Sequence, residues 1–155
     1  MIRLACKDEI KQLNELACDS EAHWGYDEAT MTAFKEVYEI NSTFVEENPT
    51  YVLQIEGELR GFYTLIVEGH VGTLEYFYIR ADDIGQGYGK KLWEHLVKTC
   101  EAFDVDKIVL VTSPQAFAFY EKMGAIKTGE VESLLNKERM IPTLMYVVKS
   151  QEGNL

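Results

Sequence analysis

The chain has 155 residues, 46% of them apolar, a size that suits one domain over residues 1–155 with a substantial core. Its net charge of −11 argues against nucleic acid and anionic membrane as partners. No apolar run is long enough to cross a bilayer, and the N-terminus lacks the apolar stretch of a signal peptide. Cys6, Cys18 and Cys100 match no zinc or redox spacing, so no metal is expected. They read as reduced, mostly buried thiols of a cytoplasmic protein. Residues 1–60 hold 13 acidic and 5 basic residues. That field suits a cationic small molecule, and equally a solvated surface.

In chain order, 2–5 reads as a short strand. Asp8 suits the N-cap of a helix carrying Ile10, Leu13, Leu16 and Ala17 at helical spacing. His23-Trp24-Gly25-Tyr26 interrupts it. Asp27 caps a second helix with Met31, Phe34 and Tyr38 on its apolar stripe, and Asn48-Pro49 closes that region. Strands over 51–56 and 59–68 flank Gly57-Glu58, a hairpin signature, and Gly69-His70 turns into a strand over 71–80. The glycine-rich turn Gly85-Gln86-Gly87-Tyr88-Gly89 leads into a helix over 90–103, with Leu92, Leu96, Cys100 and Phe103 on one face. Residues 107–112 form a β-branched strand. Ser113-Pro114 reads as the start of another helix, closed at Gly124. Strands over 125–132 and 140–149 follow, Pro142 marking an edge or bulge. The order describes an α/β fold: a mixed, mostly antiparallel sheet of about seven strands flanked by about four helices.

Strand, glycine turn and helix together form a phosphate-binding arrangement. The first turn of a helix leaves N–H groups unpartnered, the dipole adds positive charge there, and glycine admits an anion close to the backbone. Lys90 and Lys91 stand at its rim. A Rossmann turn follows the first strand of its unit, whereas this one follows about the fourth. Asp104 and Asp106 also poorly match the acidic residue such a turn requires about twenty positions on. The absence of Gly-Lys-Ser/Thr excludes a P-loop.

Ile84-Gly85-Gln86-Gly87-Tyr88-Gly89 resembles the cofactor motif Arg/Gln-x-x-Gly-x-Gly/Ala of the Gcn5-related N-acetyltransferase (GNAT) family, with Ile84 in place of Arg or Gln. Roughly thirty residues on, Ala116-Phe117-Ala118-Phe119-Tyr120-Glu121-Lys122-Met123-Gly124-Ala125 resembles the family's Ala-x-x-Phe-Tyr-x-Lys-x-Gly-Phe segment. The resemblance covers nearly the whole chain and implies the GNAT fold. It also implies acetyl-CoA as co-substrate, no metal, and direct attack of an amine on the thioester. The acceptor it points to is a small-molecule amine. A protein or peptide acceptor and a non-enzymatic acyl-CoA-binding domain are the alternatives. Homodimers are common in the family, and the C-terminal strands are the natural contact elements here.

The resemblance places the Tyr120 hydroxyl near the CoA sulfur. A phenol is the weaker acid, so full proton transfer to the thiolate is uphill by about 2 kcal/mol and Tyr120 acts as a hydrogen-bond donor. The backbone of Phe77, Tyr78 and Ile79 faces the cofactor, although the side chains of Phe77 and Ile79 also read as core. Gly85, Gln86, Gly87, Tyr88, Gly89 and Lys90 hold the pyrophosphate. Glu75 is the candidate base, equally readable as a solvent-facing strand residue, with His23 and His70 as rivals. Trp24 and Tyr26 read as an aromatic wall for the acceptor or as a plug between two helices. Ser113 reads as a helix cap, and Arg139 as solvated or as a guide for an anionic group.

Overall fold

Alternating apolar residues build the sheet from its centre outwards. The computed structural model describes residues 1–148. Strands β1 (Ile2–Leu4), β2 (Thr50–Ile55), β3 (Glu58–Glu68) and β4 (Val71–Ile79) pair antiparallel in succession. With β5 (Lys107–Val111), β6 (Ile126–Glu132) and β7 (Met140–Val147) they form a seven-stranded sheet of order β1-β2-β3-β4-β5-β7-β6. Among these pairs only β4 and β5 run parallel. This is the mixed, mostly antiparallel sheet expected. Lys149, the expected end of the last strand, lies outside the described residues.

Five α-helices flank the sheet: α1 (Ile10–Ala22), α2 (Glu28–Val37), α3 (Ser42–Glu47), α4 (Tyr88–Ala102) and α5 (Phe117–Lys122). The one not anticipated, α3, is six residues long, too short for a periodic signal; Asn41 caps it by accepting from Phe44 N at 2.9 Å. Among the described residues no helix is long and apolar enough to cross a membrane.

Side-chain alternation splits the core into two layers. On one face α1 and α2 bury Leu13, Leu16 and Phe34 against Val52, Phe62 and Tyr76. On the other, α4 and α5 bury Leu92, Leu96 and Tyr120 against Leu53, Tyr63 and Ile108. Each fully buried leucine contributes about 1.5–3 kcal/mol relative to exposure.

Several local expectations change. Asp8 lies inside a 3₁₀ turn over Lys7–Glu9 and caps nothing; Glu9 accepts from Cys6 N at 2.9 Å and pairs with Arg3 at 2.8 Å. Ser113 and Pro114 form a turn before α5, which begins only at Phe117. Pro142 sits in an interior strand, beyond the end of the β5–β7 ladder at Val111↔Thr143, where its carbonyl accepts from Thr112 N. Cys100 is buried, but Cys6 is exposed.

Two irregularities in β4 shape the molecule. Thr64 pairs with Tyr76 but Leu65 with Leu74, so Glu75 is the extra residue of a β-bulge. Leu74 therefore belongs to the α4 layer and Tyr76 to the α1 layer, breaking strict alternation. The parallel pairing of β4 with β5 is confined to Val71–Thr73. Past Thr73 the two strands separate, and a cavity opens between them.

Candidate active site

That cavity measures about 1330 Å³ and runs from the glycine turn, along β4, to the loop between α1 and α2. The turn adopts the conformation its glycines permit: Gly85 has φ +92° and Gly87 φ +85°, both left-handed. Gly87 is the N-cap of α4, and no side chain caps the helix. The first-turn N–H groups are thus left for an anion. Just before the turn, Asp83 is held by Arg60 Nη1 at 3.1 Å and its carbonyl accepts from Gln86 N.

Gly85, Gly87, Gly89 and Lys90 line the cavity, as does the apolar side chain of Ile84. The side chains of Gln86 and Tyr88 do not line it. Tyr88 points away from Gly89, one helical step on, into a separate hollow with Leu53, Ile55 and His95.

Phe77, Tyr78 and Ile79 all line the cavity, and none has a β5 partner on that side. Pairing with β3 engages alternate residues: Arg80 N donates to the Arg60 carbonyl, so Tyr78 is bonded to Phe62, and the splay leaves the N–H and C=O groups of Phe77 and Ile79 facing the cavity. Phe77 and Ile79 belong to the α4 layer, as the core reading of their side chains expects.

Tyr120 stands where α5 meets β4. Its ring packs edge-on to Phe77 and Trp93, each at 5.9 Å between centroids. Burial, and secondarily Glu21, push its phenol well above the ordinary value. It makes no hydrogen bond to protein among the described residues, although it lines the cavity. A neutral hydroxyl with no protein partner is equipped to donate to a ligand.

Four carboxylates line the same cavity: Asp83, held by Arg60, Glu132 at the end of β6, and Glu21 and Glu75. Glu75, carried by the bulge, has its acidity weakened by partial burial against the wall. Glu21, in the last turn of α1, is pushed up to about 7 by burial, with Arg139 acting in the opposite direction. Sequence reading missed Glu21. The signal was present, because position 21 continues the buried stripe of Leu13 and Ala17 by one helical turn. It also missed Tyr38 and Gln115, both of which line the cavity.

The rivals for the base fall away. His23 is exposed, outside the cavity, and stacks edge-on against Trp24. His70 is in the β3–β4 turn, bonded at Nδ1 to the Asp104 carbonyl, and likewise outside. Trp24 and Tyr26 both line the cavity. Tyr26 Oη donates to Gln115 Oε1 at 3.1 Å, and Arg139 Nη2 donates to the same oxygen at 3.2 Å. Ser113 lines the wall without capping a helix.

A sequence profile described as the acetyltransferase (GNAT) family matches residues 10–125. The chain belongs to this GNAT family. It is therefore an N-acetyltransferase by class. The "5-NmdU N-acetyltransferase" of Pseudomonas phage PaMx11 is 27% identical over 132 residues, covering 84% of this chain and 89% of the relative. Solved GNAT structures repeat the fold. The PaiA N-acetyltransferase of Thermoplasma acidophilum, crystallised with coenzyme A, superposes with a TM-score of 0.80 at 17% identity, over 95% of this chain and 98% of that one. The ribosomal-protein-S18-alanine N-acetyltransferase of Escherichia coli does so with a TM-score of 0.73 at 17% identity, over 100% and 97%.

Proposed function

We propose that this GNAT protein transfers the acetyl group of acetyl-CoA to the amine of a small molecule by direct attack. The observation that carries the reading is a cavity joining an uncapped helix N-terminus, strand backbone left unpaired by the splay, Tyr120, and the carboxyl groups of Glu21 and Glu75. In this reading the N–H groups of the glycine turn hold the pyrophosphate, with Lys90 beside them. The free backbone groups of Phe77 and Ile79, on either side of Tyr78, take the amide-bearing arm of the cofactor.

The amine must be neutral to attack. Glu75, its basicity raised by its surroundings, accepts the ammonium proton directly or through water. The amine nitrogen bonds to the carbonyl carbon, and a strand N–H stabilises the oxyanion. The nitrogen gives its second proton to water as the C–S bond breaks, so a neutral amide forms and the thiolate leaves under a hydrogen bond from Tyr120. Burial weakens the phenol as an acid, which makes that group a donor of a hydrogen bond rather than of the proton itself. Trp24 and Tyr26 supply the apolar wall for the acceptor.

The Gln115 bridge favours a small acceptor over an extended peptide, because it ties the α1–α2 loop to the β6–β7 loop across the acceptor end. The phage relative, named for 5-NmdU rather than for a protein, supports the same choice. Free cysteines support a reducing, cytoplasmic setting.

A thiol-release assay with acetyl-CoA across an amine library tests the reading, with product mass identifying the acceptor. Amine-dependent release of CoA and a matching acetylated product are expected. Binding of NAD without binding of acetyl-CoA would overturn it.

A further inference from the structure

Three basic side chains line the cavity: Lys90, Lys122 and Arg139. Lys90 belongs to the glycine turn and Lys122 to α5. Arg139 alone comes from the loop between β6 and β7, and it touches the acceptor wall. Its guanidinium carbon sits 5.5 Å from the centroid of the Tyr26 ring. One N–H goes to Gln115 Oε1, and no other protein acceptor takes the guanidinium among the described residues. No carboxylate there lies within ion-pair distance of it either.

A half-buried arginine without a carboxylate is unusual in a chain of net charge −11. Most long charged side chains that surrender hydration do so against a counter-charge. Arg139 is instead oriented by an aromatic face and a neutral amide. Both leave its positive charge intact and its planar fork available. Glu21 stands in the same end of the cavity, close enough to feel the guanidinium. The acceptor end thus presents a carboxyl group and an unpaired guanidinium within reach of one small molecule.

We propose that Arg139 binds an anionic group, a carboxylate or phosphate, on an acceptor whose amine is directed toward Glu21 and Glu75, so that the preferred substrates are amines bearing a negative charge. This rests on the acetyl-transfer reading above. It narrows the substrate class: simple alkylamines and polyamines are poor acceptors, whereas amino acids, amino carboxylates and aminoalkyl phosphates are good ones. A fork-like contact to an oxyanion is charge-assisted and geometrically selective, which sets the expected discrimination at about 10- to 100-fold.

The test uses matched probes on the full chain with acetyl-CoA: 4-aminobutanoate against butylamine, O-phosphoethanolamine against ethanolamine, and a wider amine library built as such pairs. The two named pairs separate carboxylate from phosphate as the anionic group. In the wild type, kcat/KM is expected to favour the anionic member of at least one pair type by about 10-fold or more. In Arg139→Met that ratio should collapse toward one, mainly through KM. Arg139→Lys should restore part of it by returning the charge without the fork. Lys137→Met, an exposed loop position outside the cavity, should leave the ratio unchanged.

A wild-type preference for neutral or cationic amines would overturn the inference. So would an equal loss on both members of each pair in Arg139→Met, or a rise in the acetyl-CoA Kd of that variant, which would assign Arg139 to the cofactor. Binding of acetyl-CoA with no anionic amine acetylated would also overturn it, while leaving the cofactor site standing. Failure to bind acetyl-CoA at all would instead remove the underlying reading.

Discussion

Gly89 lies against the ring of Phe119, so that a Cβ at position 89 would sit 3.0 Å from Phe119 Cε1. The contact joins the glycine turn to the Phe-Tyr segment, two stretches thirty positions apart in the chain. Phe119 in turn packs on Phe77 and on Tyr120, at 5.6 and 5.2 Å between centroids. The glycine-turn end of the cavity and Tyr120 are thus coupled through one aromatic ring.

Two glycine substitutions separate conformation from packing. Gly87→Ala forces a Cβ into left-handed backbone and should destabilise the fold by about 1–2 kcal/mol. Gly89→Ala has an ordinary backbone conformation and gains helix propensity of up to about 1 kcal/mol, offset by the displaced ring. Its stability should stay near wild type while the acetyl-CoA Kd rises about 3- to 10-fold, a shift of about 1 kcal/mol. Urea denaturation and calorimetric titration distinguish the two.

Tyr120→Phe removes a hydroxyl that has no protein partner among the described residues. No internal hydrogen bond is lost, so stability should change by less than about 1 kcal/mol. Acetyl-CoA should bind normally, and kcat should fall about 10- to 100-fold if the hydroxyl meets the leaving sulfur. Unchanged turnover with the true acceptor would remove Tyr120 from the mechanism.

Glu21 titrates near 7 in the fold, well above its value in an unfolded chain. Between about pH 4.5 and 7 the native state therefore holds a proton that the unfolded state has released, and stability declines as pH rises through that window. Glu21→Gln should abolish this component. Relative to wild type, its urea midpoint should be higher at pH 8 than at pH 5. Because Arg139 acts in the opposite direction, Arg139→Met should move the same transition to higher pH.

Arg60 anchors the residue that precedes the glycine turn. It holds Asp83, whose side chain is only 9% exposed, at 3.1 Å. Arg60→Met leaves that carboxylate without its counter-charge and should lower Tm by several degrees, with weaker acetyl-CoA binding. Adding Asp83→Asn should recover much of the stability, since it removes the stranded charge. Arg60 Nε is itself buried without a partner, so the pair's net contribution is smaller than its geometry suggests.

The strands and the longer helices were legible because each buries one face and repeats at its own period, as Phe62 and Tyr63 do on β3. What escaped was local competition. Ser113 is a good cap by type, yet its carbonyl closes a turn with Ala116 instead. Asp8 lost its role to Glu9, which Arg3 draws back toward the chain start. The glycine turn and Tyr120 were readable as motifs at the right separation. Glu21 was passed over although it continues the stripe of Leu13 and Ala17, because a charged residue there is ordinarily read as the end of the stripe. Nor could the bulge at Glu75 be read, since it is a property of how β3 pairs with β4.

The parting of β4 from β5 after Thr73 gives the molecule a sheet edge in its own interior. An exposed edge invites any extended chain to pair with it. Here the invitation is enclosed by walls on both sides, so it can be answered only by something thin that carries its own amides. Under the proposed reading, the cofactor arm would act as a temporary eighth strand, joining the two halves of the sheet for the life of the complex. Amide exchange at Phe77 and Ile79 should then slow when acetyl-CoA binds and recover when CoA leaves.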